Sequence, residues 1–74
     1  MSKINPKFKA LSLEDRVELL TLTTGVIIFT SGMKEEHANN GDSELCKILS
    51  QEREFLKKEV FQFYKDHDFE GIFE

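Results

Sequence analysis

Residues 19–33 read LLTLTTGVIIFTSGM, and the rest of the chain is organised around them. This stretch contains no charged residue, although 32% of the whole chain is charged. It is shorter than the roughly 20 apolar residues that cross a bilayer, and its threonines make it only moderately apolar. We therefore expect it to be buried against protein, with no membrane partner.

Stepped along a helix that begins at Leu13, this region acquires two apolar faces. The first face holds Leu13, Val17, Leu20, Ile27 and Ile28, with Thr24 between them. The second, nearly opposite, holds Leu19, Leu22, Val26, Phe29 and Met33. A helix that is apolar on two sides is usually covered on both.

A strand is the alternative for residues 25–30, because residues 26–29 are β-branched or aromatic. Gly25 and the neighbouring threonines also weaken a helix, by up to about 1 kcal/mol each. Helix is favoured because the chain contains one such run, and a strand would lack a partner unless another copy supplied it.

The chain is one small domain of 74 residues, near the limit at which a single core holds a fold. Cys46 is the one cysteine, so it cannot form an internal disulfide, and a cytoplasmic location fits. His37 and His67 stand apart from it and from each other, so neither a metal nor another cofactor is predicted. The lysines near the N-terminus precede no apolar run, so no signal peptide is expected.

The balance of charge bears on partners. The net charge is −4 and the pI is about 5.1. DNA- and RNA-binding proteins of the electrostatic kind normally present a basic face, so neither nucleic acid is a predicted partner.

The predicted fold is all-α, an antiparallel helical hairpin with a short N-terminal arm, which assembles into an oligomeric helix bundle. The predicted segments are an arm at 1–11, a first helix at 12–33, a loop at 34–42, a second helix at 43–66 and a tail at 67–74.

Local signals set these boundaries. Ser12 can cap the first helix, since acidic residues follow it in the first turn. Gly32 marks the end of that helix, or lies one turn before it. Residues 39–41, Asn-Asn-Gly, favour a tight reversal, and Asp42 or Ser43 can cap the second helix.

The two ends of the chain are read separately. Pro6 biases Asn5 away from helix, so the arm is expected to be extended. The acidic tail carries Phe69, Ile72 and Phe73, and we expect it either to fold back or to bind a partner.

The second helix has one broad apolar face, formed by Leu45, Ile48, Leu49, Phe55, Leu56, Val60 and Phe63. Two acids, Glu52 and Glu59, fall within this face. They either form salt bridges with Arg16 or a lysine of the arm, lie at an edge near water, or bind a ligand or cation. They are too far apart for a hydrolytic pair, and phosphate-cradling and nucleophile motifs are missing, so no catalytic residue is predicted.

The second helix can cover only one side of the first. We expect the side left exposed to form the interface of a symmetric homodimer or a higher oligomer. The predicted interface residues are Leu19, Leu22, Val26, Phe29 and Met33.

Cations alternate with rings along one flank of the second helix. The residues are Arg53, Lys57, Phe61 and Tyr64. Such a flank can stack a base and meet a phosphate, can contact a protein, or can be an ordinary helix surface, and the sequence leaves these three open.

The segment FKALSLED, from Phe8 to Asp15, resembles the entry to the first helix of small phage-encoded helical-hairpin sponges. Those proteins counter cyclic-nucleotide-based bacterial immunity (CBASS and Thoeris) as oligomers. The resemblance implies that Phe8 stands where the sponges have a ligand-stacking tyrosine, with Lys9 beside it. The lysine expected on the first helix falls near Thr23 and is missing.

The expected function is a non-catalytic, oligomeric binding module that acts through protein–protein contacts, as a phage protein does when it inhibits a host factor. The resemblance adds an alternative, a sponge that sequesters cyclic-nucleotide second messengers of bacterial antiviral immunity.

Overall fold

A computed structural model describes residues 3–40 and 44–74 of the chain. The helices are α1 (Pro6–Lys9), α2 (Leu13–Asn40) and α3 (Glu44–Asp66), and α2 packs along α3. Within the described ranges there is no strand, and residues 25–30 are helical. The predicted all-α class is therefore confirmed, and helix is the correct alternative for the uncharged stretch.

Two glycines of α2 fix how the long helices meet. A Cβ atom on Gly25 would lie 2.7 Å from Cδ1 of Leu56, and one on Gly32 would lie 3.3 Å from Cδ1 of Leu49. The two glycines are seven residues apart in α2, and the two leucines are seven residues apart in α3. The later glycine contacts the earlier leucine, so α2 and α3 run antiparallel. The leucines of α3 rest directly on the backbone of α2, which a larger residue at Gly25 would prevent.

The start of α2 is as the sequence predicts. The Ser12 hydroxyl oxygen accepts a hydrogen bond from the Asp15 backbone N–H at 3.1 Å, which caps the helix.

The predicted end of the first helix at Met33 is wrong, because α2 continues to Asn40. Gly32 lies against Leu49 inside the hairpin and does not terminate the helix. The following residues 34–38, Lys-Glu-Glu-His-Ala, include strong helix formers and no proline, so most of the predicted loop is helix. Asp42 and Ser43, the predicted caps of the second helix, lie outside the described residues.

The core lies at the end of the hairpin that carries both termini. Among the described residues, the buried hydrophobic side chains are Phe8, Leu19, Val60, Phe63 and Phe69. Leu11, Leu22, Val26, Tyr64 and Ile72 pack against this cluster. The core therefore draws on every element of the fold, the arm and the tail included.

The arm is not extended as predicted, because residues Pro6–Lys9 form α1. Pro6 occupies the first turn of this helix, where its missing N–H costs nothing. The Asn5 side chain accepts a hydrogen bond from the Lys7 backbone N–H at 2.9 Å and caps it. This turn of helix carries Phe8 into the core.

The tail folds back onto the arm, which is one of the two predicted alternatives. The Asn5 backbone N–H donates to Ile72 O at 2.7 Å, and the Glu74 N–H donates to Lys3 O at 2.8 Å. Lys7 Nζ also donates to the Asp68 carbonyl oxygen at 2.6 Å. These bonds hold both termini over the buried cluster.

Helix α3 ends in a Schellman motif, in which Asp68 adopts a left-handed conformation with φ 56°. The Asp68 N–H donates to Lys65 O at 3.4 Å, and the Phe69 N–H donates to Tyr64 O at 3.1 Å. The rings of Tyr64 and Phe69 meet edge to face at 5.1 Å, the hydrophobic contact typical of this motif. The motif turns the chain and inserts Phe69 into the core.

Replacing Asp68 tests this turn. We expect Asp68→Gly to be more stable than Asp68→Ala by about 1 kcal/mol, because glycine has no Cβ to oppose the left-handed conformation. Both variants lose the exposed ion pair with Lys7, so that loss cancels in the comparison. Urea unfolding at one fixed protein concentration measures the difference, and equal stability of the two variants would contradict the motif.

Replacing Gly25 tests the helix contact. We expect Gly25→Val to lower the free energy of unfolding by about 1–3 kcal/mol, because the new methyl groups overlap Leu56. In a Leu56→Ala background the same substitution should cost less, since the overlapping atoms have been removed. An equal cost in both backgrounds would show that Gly25 does not face Leu56.

Candidate binding site

One whole face of α2 is open to solvent. We call it the outer face, and it comprises Leu13, Val17, Leu20, Thr24, Ile27 and Ile28, each of them exposed. Ile27 and Ile28 are both 60% exposed. A shallow groove runs along this face over Gly25 and is lined also by Thr21. Contiguous exposed apolar surface is typical of the contact surfaces of proteins.

The predicted interface residues lie on the opposite side, towards α3. Leu19 is fully buried, and Leu22, Val26, Phe29 and Met33 are half-buried. The prediction that they form the exposed strip is wrong, because the leucines of α3 rest on Gly25 and Gly32 and cover this side of α2. The positions of the glycines, each three residues after Leu22 or Phe29, are the sequence signal that identifies the inner face.

A second concave surface lies where the tail crosses α3. We call it the terminal groove, and it is lined by Asn5, Lys7, Phe61, Tyr64, Lys65, Asp68, Phe69 and Glu70. Phe61 is 56% exposed there. The groove therefore combines aromatic rings with two lysines and two acids.

Tyr64 lines this groove with an aromatic ring that carries a hydroxyl group. Its ring packs against Phe69, which fixes its orientation. Burial raises the pKa of the Tyr64 phenol above its ordinary value of 10.0, because the charged form loses water. The phenol therefore keeps its proton to a higher pH than a free tyrosine does.

The predicted aromatic and basic flank is only partly brought together. Phe61 and Tyr64 both line the terminal groove. Arg53 and Lys57 lie earlier in α3. Both contact the Glu54 carboxylate, Arg53 through its guanidinium group at 3.5 Å and Lys57 through Nζ at 3.6 Å. The Nε atom of Arg53 is buried and has no hydrogen-bond partner among the described residues. The two cations are thus held against the surface of α3, outside the groove.

The predicted arm residues also separate. Phe8 is 8% exposed, so its ring belongs to the core and cannot stack on a ligand. Lys9 is exposed. The basic side chains that line the groove are Lys7 and Lys65, which were not among the predicted site residues. They meet because the tail folds back, a long-range contact that no local pattern reveals.

Glu52 and Glu59 are exposed, not part of the face that packs on α2. They share a flank of α3 with Ile48 and Phe55, which are also exposed. No ion pair among the described residues joins them to Arg16 or to a lysine of the arm. Both lie near water, and the binding of a ligand or cation by them stays a prediction. Leu49 and Leu56 have the same seven-residue spacing but lie on a different face of α3, the one that packs on α2.

His67 ties the end of α3 to the start of α2. Its ring stacks on Phe63 at 4.0 Å, and Nδ1 lies 2.9 Å from the Phe63 carbonyl oxygen. Because that oxygen can only accept, Nδ1 carries the hydrogen. Nε2 lies 3.5 Å from the Asp15 carboxylate, and this contact is an ion pair only when the ring is protonated. Across the described ranges, no three His, Cys, Asp or Glu side chains are grouped as metal ligands.

Helix α2 also passes, by length and composition, as a membrane-spanning helix. The region Leu13–Ala38 reaches a mean hydropathy of 1.2, and 6% of the apolar window is buried. The core helix of a soluble protein and a signal sequence can have the same length and composition. The expectation that the stretch is too short to span applied to residues 19–33 and not to the longer helix.

Comparison of the chain with protein-family models, with curated proteins and with solved structures finds no match. The outer face and the terminal groove are therefore the features from which a function can be inferred.

The single tyrosine of the chain makes the terminal groove easy to probe. We expect its absorbance titration to have a midpoint above 10.0 in the folded protein and to return to the ordinary value in denaturant. Because the folded state holds the proton more tightly, stability is retained below 10.0 and falls as the pH rises through the folded pKa. Tyr64→Phe should remove that component. A native midpoint at or below 10.0 would place the phenol in open solvent.

Proposed function

We propose that this protein is a non-catalytic helical module that works by binding protein as a homo-oligomer, with a dimer as its basic unit. The observation that carries the proposal is the large accessible surface of the chain, which includes the exposed apolar side chains of the outer face. The chain exposes 5612 Å², whereas a monomer of its mass is expected to expose about 4,700 Å². The excess of about 900 Å² is close to what each partner buries in a standard protein interface.

The shape of the chain supports the same proposal. Its extents are 43 × 27 × 17 Å and its radius of gyration is 14.5 Å. A compact chain of this length is expected to have a radius of gyration of about 11 Å. The hairpin is therefore a single layer of helices, and domains bury their apolar faces by packing two layers together.

A different apolar surface is available for a second protein. Leu45, Ile48 and Phe55 are each at least 50% exposed on the flank of α3. A copy that covered the outer face of α2 would leave this flank free. We propose that a target protein binds there, as expected of a phage-type inhibitor of a host factor.

A cytoplasmic location is part of the proposal. Helix α3 packs along α2 and carries acidic and basic side chains through most of its length. Inserting α2 into a bilayer would either draw these charges into lipid or strip α3 away, and both are costly.

The second candidate function, a cyclic-nucleotide sponge, is favoured by the terminal groove. Phe61 and Tyr64 provide rings on which a base can stack, and Lys7 and Lys65 provide cations for phosphates. Phe61 would take the stacking role that the resemblance gives to Phe8.

Light scattering of the purified chain, from micromolar to millimolar concentration, tests the first candidate. We expect a mass of at least twice the 8.6 kDa of one chain throughout the upper part of this range. A mass of one chain at every concentration would overturn the homo-oligomer and, with it, the proposed module.

Calorimetry with cyclic di- and trinucleotides tests the second candidate. If the sponge is correct, at least one of them binds, and Phe61→Ala weakens binding about tenfold or more because a stacked ring is lost. Phe55→Ala is the matched control, since Phe55 is a similarly exposed ring outside the groove. The absence of heat with every nucleotide at millimolar concentration would remove the sponge from consideration.

A further inference from the structure

The outer face of α2 has a regular spacing that the apolar patch alone does not require. Five of its residues, all but Ile28, fall alternately four and three residues apart when Ser31 is added. The positions are Leu13, Val17, Leu20, Thr24, Ile27 and Ser31. This is the spacing of a coiled-coil seam, which presents a continuous row of side chains to one partner helix. All of these residues are exposed.

We propose that the outer face of α2 binds the same face of a second copy. The two α2 helices are antiparallel, and the two-fold axis that relates them crosses the outer face at the level of residue 22. This deepens the proposed function and rests on it, because it names the surface through which the module assembles. The two hairpins then form a four-helix bundle in which both faces of α2 are covered. The area in excess of a monomer's is close to the area that each partner buries in a standard interface.

The antiparallel direction follows from the sizes of the side chains. With the axis near Leu22, Val17 faces the partner's Ile27, and Leu20 faces the partner's Thr24. At the ends of the seam, Leu13 faces the partner's Ser31. Each small polar residue thus lies against a leucine, and large and small side chains alternate across the contact, as close packing requires.

A parallel arrangement would pair each residue with its own copy. Thr24 would face Thr24, and Ser31 would face Ser31, which leaves gaps opposite the smallest side chains. The next position of the seam is Lys34, and two like charges would also meet there.

Charge favours the same direction. The first turn of α2 is acidic, with Glu14 and Asp15, and Lys34 follows the apolar seam at its other end. In an antiparallel pair about this axis, Lys34 of one copy lies at the level of residue 10 of the other, about one helical turn from the exposed Glu14. The contact is therefore complementary at both ends.

The polar groups within the contact can be satisfied locally. The hydroxyls of Thr23 and Thr30 donate to the carbonyl oxygens of Leu19 and Val26, four residues earlier, at 2.8 Å each. Thr24 is in the same helix and can bond to Leu20 O in the same way, which presents its methyl group to the partner.

Introducing opposite charges across the seam tests both the surface and the direction. Val17→Glu alone and Ile27→Lys alone should each weaken the dimer by at least about a hundredfold, because the two-fold axis repeats every lost contact. The double variant should regain much of the affinity, since the new carboxylate of each copy then faces the new ammonium group of the other at both ends. Sedimentation equilibrium measures the dissociation constants, and circular dichroism follows the helix content.

Phe55→Glu is the matched control, because Phe55 is 60% exposed, as Ile27 is, but lies on α3. It should leave the dimer unchanged. If a single variant loses its helices on dissociation, recovery of both mass and helix in the double variant still identifies the pairing.

The remaining outcomes separate the two proposals. If the native chain is an oligomer that Val17→Glu does not dissociate, the seam is overturned and the module stands. If both single variants dissociate and the double variant stays monomeric, the antiparallel pairing is overturned. A native chain that is monomeric, or that binds vesicles of phosphatidylcholine and phosphatidylglycerol through this face, overturns the seam and the dimer together.

Discussion

The contact between Gly25 and Leu56 determines which side of α2 is inside the hairpin. Because glycine has no side chain, α3 can approach closely enough for its leucine to rest on the backbone of α2. That approach buries Leu19 and half-buries Leu22 and Val26. The opposite face is then left without a partner, and the proposed assembly is a consequence of this one close approach. The termini complete the fold at one end of the hairpin, where Phe8 and Phe69 close the core.

Much of the fold could be predicted from the sequence because its signals are local. The uncharged stretch, the Ser12 cap and the polar end at Asp66 each depend on residues that are close together in the chain. The length of α2 could not be predicted, since Gly32 is equally suited to ending a helix and to admitting a packed side chain. The tertiary contact with Leu49 decides between these roles. The contact of Gly25 with Leu56 likewise decides which face of α2 is covered, and helical periodicity alone cannot distinguish the two apolar faces.

The candidate site could be predicted only in part. Phe61 and Tyr64 are one turn apart on α3, and helical spacing alone places them together. Lys7 and Lys65 meet them because the tail turns at Asp68 and pairs with the arm, a contact across almost the whole chain. Phe8 was expected to face a ligand, but the short helix that begins at Pro6 places its ring in the core. This burial also depends on contacts that are distant in the chain.

The central claim is that a second copy covers the outer face of α2. The most direct test is an isotope-filtered nuclear Overhauser experiment on a sample that mixes labelled and unlabelled chains. If a second copy covers this face, contacts between copies join the methyl groups of Val17 and Ile27. Contacts between copies that arise from Leu22, Val26 or Met33 instead, or the absence of any contact between copies at millimolar concentration, would contradict it.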